Sequence, residues 1–484
     1  MPSAPVLLWF RQDLRLADHA ALNAALATGR PVLAAYVLDT ESAGRWAPGG
    51  ASRWWLHHSL AALRRGLEAA SAPLVLRRGE SVAALCALAG ESGAAEVYCG
   101  AALEPWARAV EERAHAALAA RGVGLRRFRT ATLFDPTAIR TRSGGAYGVY
   151  TPFARACFAA PPPPAPGRKP RRIPAPENVP RGEQLETWGL LPVAPDWAGG
   201  LREAWQPGEA GAHAALARFL DDAVGQYHQQ RDLPARAATS RLSPHLHFGE
   251  ISAATVWHAA LAAGDGAGVR TFLQELLWRE FSAHLLWHHP TLPEAPLRAG
   301  FAAMAWRDAP VEAGAWRRGR TGVPIVDAGM RQLWRTGWMH NRVRMIAASF
   351  LVKHLLIDWR VGQDWFWDTL VDADLASNAA SWQWVAGSGA DAAPFFRVFN
   401  PVLQGRKFDP DGAYVRRFVP ELARLPAEHV HAPWEAPEAV LSAAGLTLGR
   451  DYPRPIVDLA AGRARALAAL RAMTGGDDRT GGAR

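Results

Sequence analysis

An alternation confined to the first 130 residues constrains this chain more than any other feature. Five short apolar or β-rich runs stand there: VLLWF (6–10), PVLAAYVL (31–38), PLVLRR (73–78), EVYCG (96–100) and GLRRFR (124–129). Between them lie Ala/Leu-rich stretches with helical spacing, such as DHAALNAALATG and PWARAVEERAHAALAARG. Parallel strands need a crossover of a dozen or more residues, and most of these intervals are long enough to hold a helix. The pattern predicts a doubly wound α/β domain over 1–135, a mostly parallel sheet with helices on both faces. A dinucleotide site in such a domain would want G-x-G-x-x-G after the first strand. FRQDLRLADHA contains no glycine, which argues against one.

The pattern then stops. FAAPPPPAPGRKPRRIPAPENVP lacks the backbone donors that helix or sheet would need, so 136–204 reads as an interdomain linker. From 205 to 475 helical spacing dominates, as in RTFLQELLWREFSAHLLWHH and VDAGMRQLWRTGWMHNRVRMIAASFLVKHLLI, and predicts an all-helical second domain. Residues 476–484 read as a flexible tail. Two domains also follow from the length, because a single core stops growing well short of 484 residues.

Composition narrows the function classes. A net charge of +9 and a pI near 10.0 suit a polyanionic partner such as nucleic acid. Cys86, Cys99 and Cys157 are odd in number and share no C-x-x-C spacing, which points to a reducing compartment and structural thiols. The apolar run at 6–10 is too short for a secretion signal, and no stretch approaches the roughly 20 apolar residues of a membrane span. A soluble, cytoplasmic, monomeric protein is expected. HLH (245–247) and HHP (288–290) lack the spacing of a zinc site, and no G-x-S-x-G is present, so neither a metal nor a serine nucleophile is expected.

Four helical segments carry more polar and aromatic chemistry than a core requires. In ATSRLSPHLHFGEIS, the hydroxyls of Thr239, Ser240 and Ser243 precede Pro244, so they either cap a helix or hold a phosphate at its N-terminus. In QELLWREF, Glu275, Trp278 and Arg279 share one face, either as an ion pair beside a core tryptophan or as a stacking site for a flat ligand. In GWMHNRVRM, Asn341 and Met345 share a face flanked by Arg342 and Arg344, which should be paired or bound to an anion. In DADLASNAASWQW, Asp372 and Asp374 are candidate partners for those arginines, and Asn378 and Trp382 lie four apart. Trp384 is turned about 200° from Trp382, so the two cannot share one task. Tryptophan makes up 21 of 484 residues, an excess that asks for a cause beyond packing.

These motifs, with LLWFRQDLRLAD, TGVPIVDAGM, DAAPFFRVFNP and DYPRPIVD, resemble the photolyase/cryptochrome family over nearly the whole chain, specifically bacterial class I photolyases that repair cyclobutane pyrimidine dimers. The resemblance implies a helical FAD-binding domain and light-dependent electron transfer from reduced FAD to a dimer flipped out of DNA, a carbon–carbon lyase reaction. It implies Tyr227, Thr239, Ser240, Arg241, Leu242 and Ser243 around the flavin phosphates. Trp278 and Arg279 fall beside the cofactor, Arg344 and Asp372 beside the isoalloxazine with Asp374 as neighbour, and Asn378 opposite N5. Trp382, Trp359 and Trp306 correspond to an electron relay running from flavin to surface. Glu275, Trp278, Asn341, Arg342, Met345 and Trp384 correspond to the dimer pocket. The implied antenna is methenyltetrahydrofolate, with 8-hydroxy-5-deazaflavin as the alternative, although AALEPWARAVEER lacks the Asn-Glu pair of folate-binding relatives. A cryptochrome-like blue-light sensor would be expected to add a regulatory tail after ALAALRAM. A (6-4) photolyase would place a histidine pair in the pocket, where this chain has only His340 adjacent.

Overall fold

The computed structural model describes residues 3–392 and 397–474. The expected tail at 476–484 and part of DAAPFFRVFNP lie outside the described residues. The five predicted runs form strands β1 (Val6–Phe10), β2 (Val32–Leu38), β3 (Leu74–Arg78), β4 (Glu96–Gly100) and β5 (Gly124–Phe128). All neighbours pair in parallel, in the order β3-β2-β1-β4-β5. The winding reverses between β1 and β4, which makes the sheet doubly wound, as expected. Every residue of β1 is buried, because helices cover both faces. On one face Leu7, Trp9, Leu33, Ala35 and Val97 meet Leu85 and Leu88 of helix Ser81–Ser92 and Val110, Ala114 and Leu118 of helix Pro105–Ala119. The edge strand β5 is largely exposed and carries Arg126 and Arg127, charges that discourage edge-to-edge pairing.

The loop after β1, where doubly wound folds commonly hold nucleotides, is filled by the protein itself. Asp13, Arg15 and His19 are all buried there. Burial pushes the Asp13 carboxyl up, but His19 at 3.3 Å and the Arg11 amide more than offset it and hold the group below the ordinary carboxylate range. Arg15 donates to the Gly249 carbonyl at 3.0 Å, and the Leu14 amide donates to Phe248 at 3.0 Å. Gly249 has φ +66°, and a Cβ there would lie 2.2 Å from the Gln12 carbonyl oxygen. Only glycine fits this junction, so the HLHFG segment closes the sheet's crevice.

The chain folds as two compact units, one of 1–228, 239–290 and 371–376, the other of 229–238, 291–370 and 377–484. This division differs from the boundaries at 135 and 204, because the first helices after the Pro-rich segment group with the sheet. Within 136–204 the chain forms helix Tyr150–Ala159, a 3-10 turn at Leu185–Trp188 and helix Gly199–Ala204, while 161–184 carries neither helix nor strand. Beyond Phe128 the regular elements among the described residues are all helical, apart from one isolated bridge. The helical run expected across 326–357 is interrupted. Helix Pro324–Thr336 closes on Gly337 at φ 64°, His340 caps helix Asn341–Ser349, and a π-turn occupies Phe350–His354. No described helix is long and apolar enough to cross a membrane.

Candidate functional site

The first unit holds the hydroxyl-rich segment. Helix Ser243–His247 starts after Leu242 as N-cap, a residue whose side chain makes no cap hydrogen bond. Ser240 Oγ accepts from the Leu242 amide at 3.4 Å. Arg241 sits at φ 53°, a left-handed conformation that costs energy for a non-glycine residue and that clusters at ligand clamps. Its guanidinium lies 4.0 Å from the centre of Trp205. Hydroxyls, an arginine and a helix start without a side-chain cap form a donor set that fits a diphosphate. Tyr227 is buried and edge-on to Phe219 and Phe272.

Helix Ala267–His288 of the same unit carries Glu275, Trp278 and Arg279, all half-buried. Tyr150 stacks on Trp278 with ring centres 3.6 Å apart and planes 7° from parallel. Arg279 donates to the Ala131 carbonyl at 2.8 Å. Its neighbour Glu280, which the motif did not single out, is buried and accepts from the Leu133 and Phe134 amides, tying the end of the α/β region to this helix. Asp372 is buried and its backbone carbonyl accepts the Asp374 amide at 2.8 Å, while the Asp374 carboxylate lies 3.9 Å from His247. His245 pairs with buried Glu250, which also accepts from Trp55 and the Gly208 amide, so HLH serves structure. Among the described residues no cluster could hold a metal. The buried Cys99 and Cys157 thiols are each pushed up to about 12, mainly by burial, which matches the structural role expected of them.

The second unit holds the tryptophan series. Trp382 and Trp359 are each only 2 % exposed, whereas Trp306 is half-buried. Trp359 opens helix Trp359–Thr369, and Gly362 follows one turn later. The Trp382 ring lies directly on Gly362, where a Cβ would fall 2.1 Å from Cη2, so Trp382 packs on the helix that Trp359 opens. Phe366 and Trp316 pack edge-on against the same ring. The chain at Trp306 is held near this helix by Arg307, whose amide donates to Leu356 at 2.8 Å and whose side chain donates to Leu355.

Asn378 is buried, and its Nδ2 donates to the Gln363 carbonyl at 3.2 Å, so the carboxamide is oriented by the relay helix. Trp384 is half-buried and donates to Asp391 at 3.2 Å, in contrast to its buried neighbour two residues earlier. Between them Gln383 is fully buried. It donates to the Leu292 and Ala295 carbonyls and accepts the Leu297 amide, pinning 292–297.

On helix Asn341–Ser349, Asn341 is exposed and Met345 half-buried. Arg342 is paired rather than bound to an anion: it reaches both oxygens of Asp232 at 3.3 and 2.9 Å, and its guanidinium lies 4.5 Å from the Phe408 ring centre. Arg344 Nε donates to the Met339 carbonyl at 2.7 Å. Asp372 belongs to the other unit, so its pairing with Arg344 rests on the resemblance. His340 Nδ1 accepts the Arg342 amide, and burial pushes the ring's pKa down to about 4.

The motif reading missed Gly362, Gln383, Asp232 and Tyr150. A glycine inside an apolar helix signals close approach, so Gly362 was detectable. The other three act through contacts with distant segments.

A family model described as the FAD binding domain of DNA photolyase matches 272–472, and one described as DNA photolyase matches 6–170. A deoxyribodipyrimidine photo-lyase of Agrobacterium fabrum is 52% identical over 98% of this chain and 99% of that one. Cryptochrome-1 of Arabidopsis thaliana is 39% identical over 96% of this chain and 70% of its own length. A crystal structure of a bacterial class III photolyase from Agrobacterium tumefaciens superposes with TM-score 0.95 at 52% identity, covering 98% of each chain. That likeness gives no support to the class I assignment expected from the motifs. With both halves matched in order and likeness running the full length, the chain belongs to the DNA photolyase/cryptochrome family.

Proposed function

We propose that this protein is a light-driven DNA repair enzyme acting on cyclobutane pyrimidine dimers. The observation that carries the reading is the graded tryptophan series: two buried rings, Trp382 seated on Gly362 of the helix that Trp359 opens, and a third, half-buried one at Trp306. Bound FAD would supply the photochemistry, an electron lent under light and recovered after the ring opens.

The chain's own residues bind, orient and steer. Thr239, Ser240, Arg241, Leu242 and Ser243, with Tyr227, would hold the diphosphate. Arg344, Asp372, Asp374, Trp278, Arg279 and Asn378 would surround the ring system, the last with its amide fixed by Gln363. Trp306, Trp359 and Trp382 would pass an electron inward from the surface. Extruding a dimer costs less than extruding a normal base, because its linked bases pair poorly. Trp278 and Trp384 would stack against it, Glu275 would hydrogen-bond the pyrimidine edge, and Asn341, Arg342 and Met345 would complete the pocket. Engaging a phosphate requires Arg342 to share or leave Asp232. The antenna would be methenyltetrahydrofolate or 8-hydroxy-5-deazaflavin.

The likeness to Arabidopsis cryptochrome-1 supports a second reading, a blue-light sensor. The deciding experiment incubates the flavin-loaded, reduced protein with a thymine-dimer oligonucleotide in blue light and in darkness. Restoration of unmodified thymines only in light supports repair; intact dimers after illumination would leave the sensor.

A further inference from the structure

We propose that Tyr150 is a positioning residue for the dimer pocket, holding the Trp278 indole in one plane so that a single face is presented to the substrate base. The proposal deepens the functional reading above and rests on its assignment of Trp278 to the dimer.

The two rings are stacked nearly parallel, their planes 7° apart, at a centre separation of 3.6 Å. Aromatic pairs left to themselves prefer offset or edge-on arrangements, and a close parallel stack persists where the surroundings hold both rings. Tyr150 is held at its tip. Its hydroxyl donates at 2.6 Å to the carbonyl of Gln274, one turn before Trp278 on the same helix. Phe281, one turn after, meets both rings edge-on at 5.9 Å. Stack, hydroxyl and edge contact together fix the tyrosine plane relative to the helix that carries Trp278.

The segment leading into Tyr150 is anchored to the same helix. The Tyr147 amide donates to His284 Nε2 at 3.0 Å, and His284 Nδ1 donates to the Pro136 carbonyl at 3.1 Å. Burial, with the His288 ring close by, pushes the pKa of His284 down to about 4. Its Nε2 therefore stays an acceptor at neutral pH. Within a stretch expected as the start of a linker, Pro136, Tyr147 and Tyr150 are thus tied to this helix, with Tyr150 against Trp278. A clamped ring loses no rotational freedom when a base stacks on its open face, and that is how preorganisation raises affinity for the flat ligand alone.

The test compares Y150F, Y150L and W278A in the flavin-loaded protein, measuring affinity for a thymine-dimer oligonucleotide and for the same sequence undamaged. Y150F keeps the stack but loses the hydroxyl's hold on the Gln274 carbonyl, so its dimer affinity should fall between those of the wild type and Y150L. Y150L removes the ring and should weaken dimer binding about 2- to 12-fold, the usual worth of an aromatic pair, while leaving undamaged DNA affinity unchanged. A purely structural defect would lower both. If W278A weakens dimer binding and Y150L does not, Tyr150 has no positioning role. If W278A binds the dimer as well as the wild type, the assignment of Trp278 falls and the proposal falls with it. Should Y150L fail to fold, 5-fluorotryptophan at position 278 gives an independent reading in the wild type. One sharp fluorine resonance is expected, and several or a broadened one would overturn the clamp.

Discussion

Replacing Gly362 with alanine puts the relay geometry to a quantitative test. The added Cβ would lie 2.1, 2.5 and 2.6 Å from Cη2, Cζ3 and Cζ2 of Trp382. Carbon atoms in contact sit about 3.5–4.0 Å apart, so the edge of the indole must retreat by about 1.5 Å or the helix must move away. Overpacking of this kind costs about 1–3 kcal/mol. Removing a glycine from a helix interior returns about 0.5–1 kcal/mol. The net change is a destabilisation of between about zero and 2.5 kcal/mol, read from urea unfolding. Light-driven reduction of oxidised flavin with an external electron donor should slow markedly, because the displaced ring is the inner end of the proposed relay. Repair by chemically reduced protein should persist. A G362A protein that gains stability by about 0.5–1 kcal/mol and photoreduces at the wild-type rate would show that Trp382 does not sit on this helix, and the relay reasoning would fail.

Two further outcomes follow from charge. With a net charge of +9, affinity for dimer-bearing duplex should fall steeply with salt, each neutralised phosphate adding about −0.9 to the log-log slope. Arg342 and Arg406 are already paired with Asp232 and Glu435, so R342A or R406A should flatten that slope only if those pairs open on DNA, and filter binding across a salt series reads it directly. Stability should also fall as pH drops from about 6.5 to about 4. Burial holds His284, His340 and His354 neutral down to about 4 while the unfolded chain takes up protons from about 6.5. Asp409, raised to about 6 mainly by burial, opposes the trend because its folded form favours the proton. Glu104, Glu280 and Asp327, raised by burial, oppose it as well, while His57, His58, His289 and His431, lowered by burial, add to it; seven histidines outweigh four carboxyls, and a urea midpoint rising between pH 6.5 and 4 would contradict this balance.

The strands were legible in the sequence because a buried parallel strand needs an unbroken apolar run, and VLLWF is β1 residue for residue. Their order in the sheet was not, since nothing within a run states which neighbour it will pair with. The 200° separation of Trp382 and Trp384 followed from helix geometry, and the difference in their burial agrees with it. Tyr150–Ala159 escaped notice because Gly144, Gly145 and Gly148 precede it, Pro152 sits in its first turn and four prolines follow close behind. Arg342 could be read as needing a partner, but Asp232 lies 110 positions away, and only the folded chain brings them together. The Tyr150 stack on Trp278 is of the same kind, whereas Gly362 marked a close approach without saying that Trp382 makes it.

That SWQW divides its two tryptophans between electron supply and substrate binding is tested most directly by one paired measurement. Flavin photoreduction and dimer affinity are recorded for W382F and W384A under the same lamp. W382F, whose ring is much harder to oxidise, should lose photoreduction and still repair once reduced chemically. W384A should photoreduce normally and bind the dimer more weakly by about 1–3 kcal/mol, the usual scale of base stacking on an aromatic ring. If both substitutions impair the same activity, the division of labour assigned to these residues is wrong.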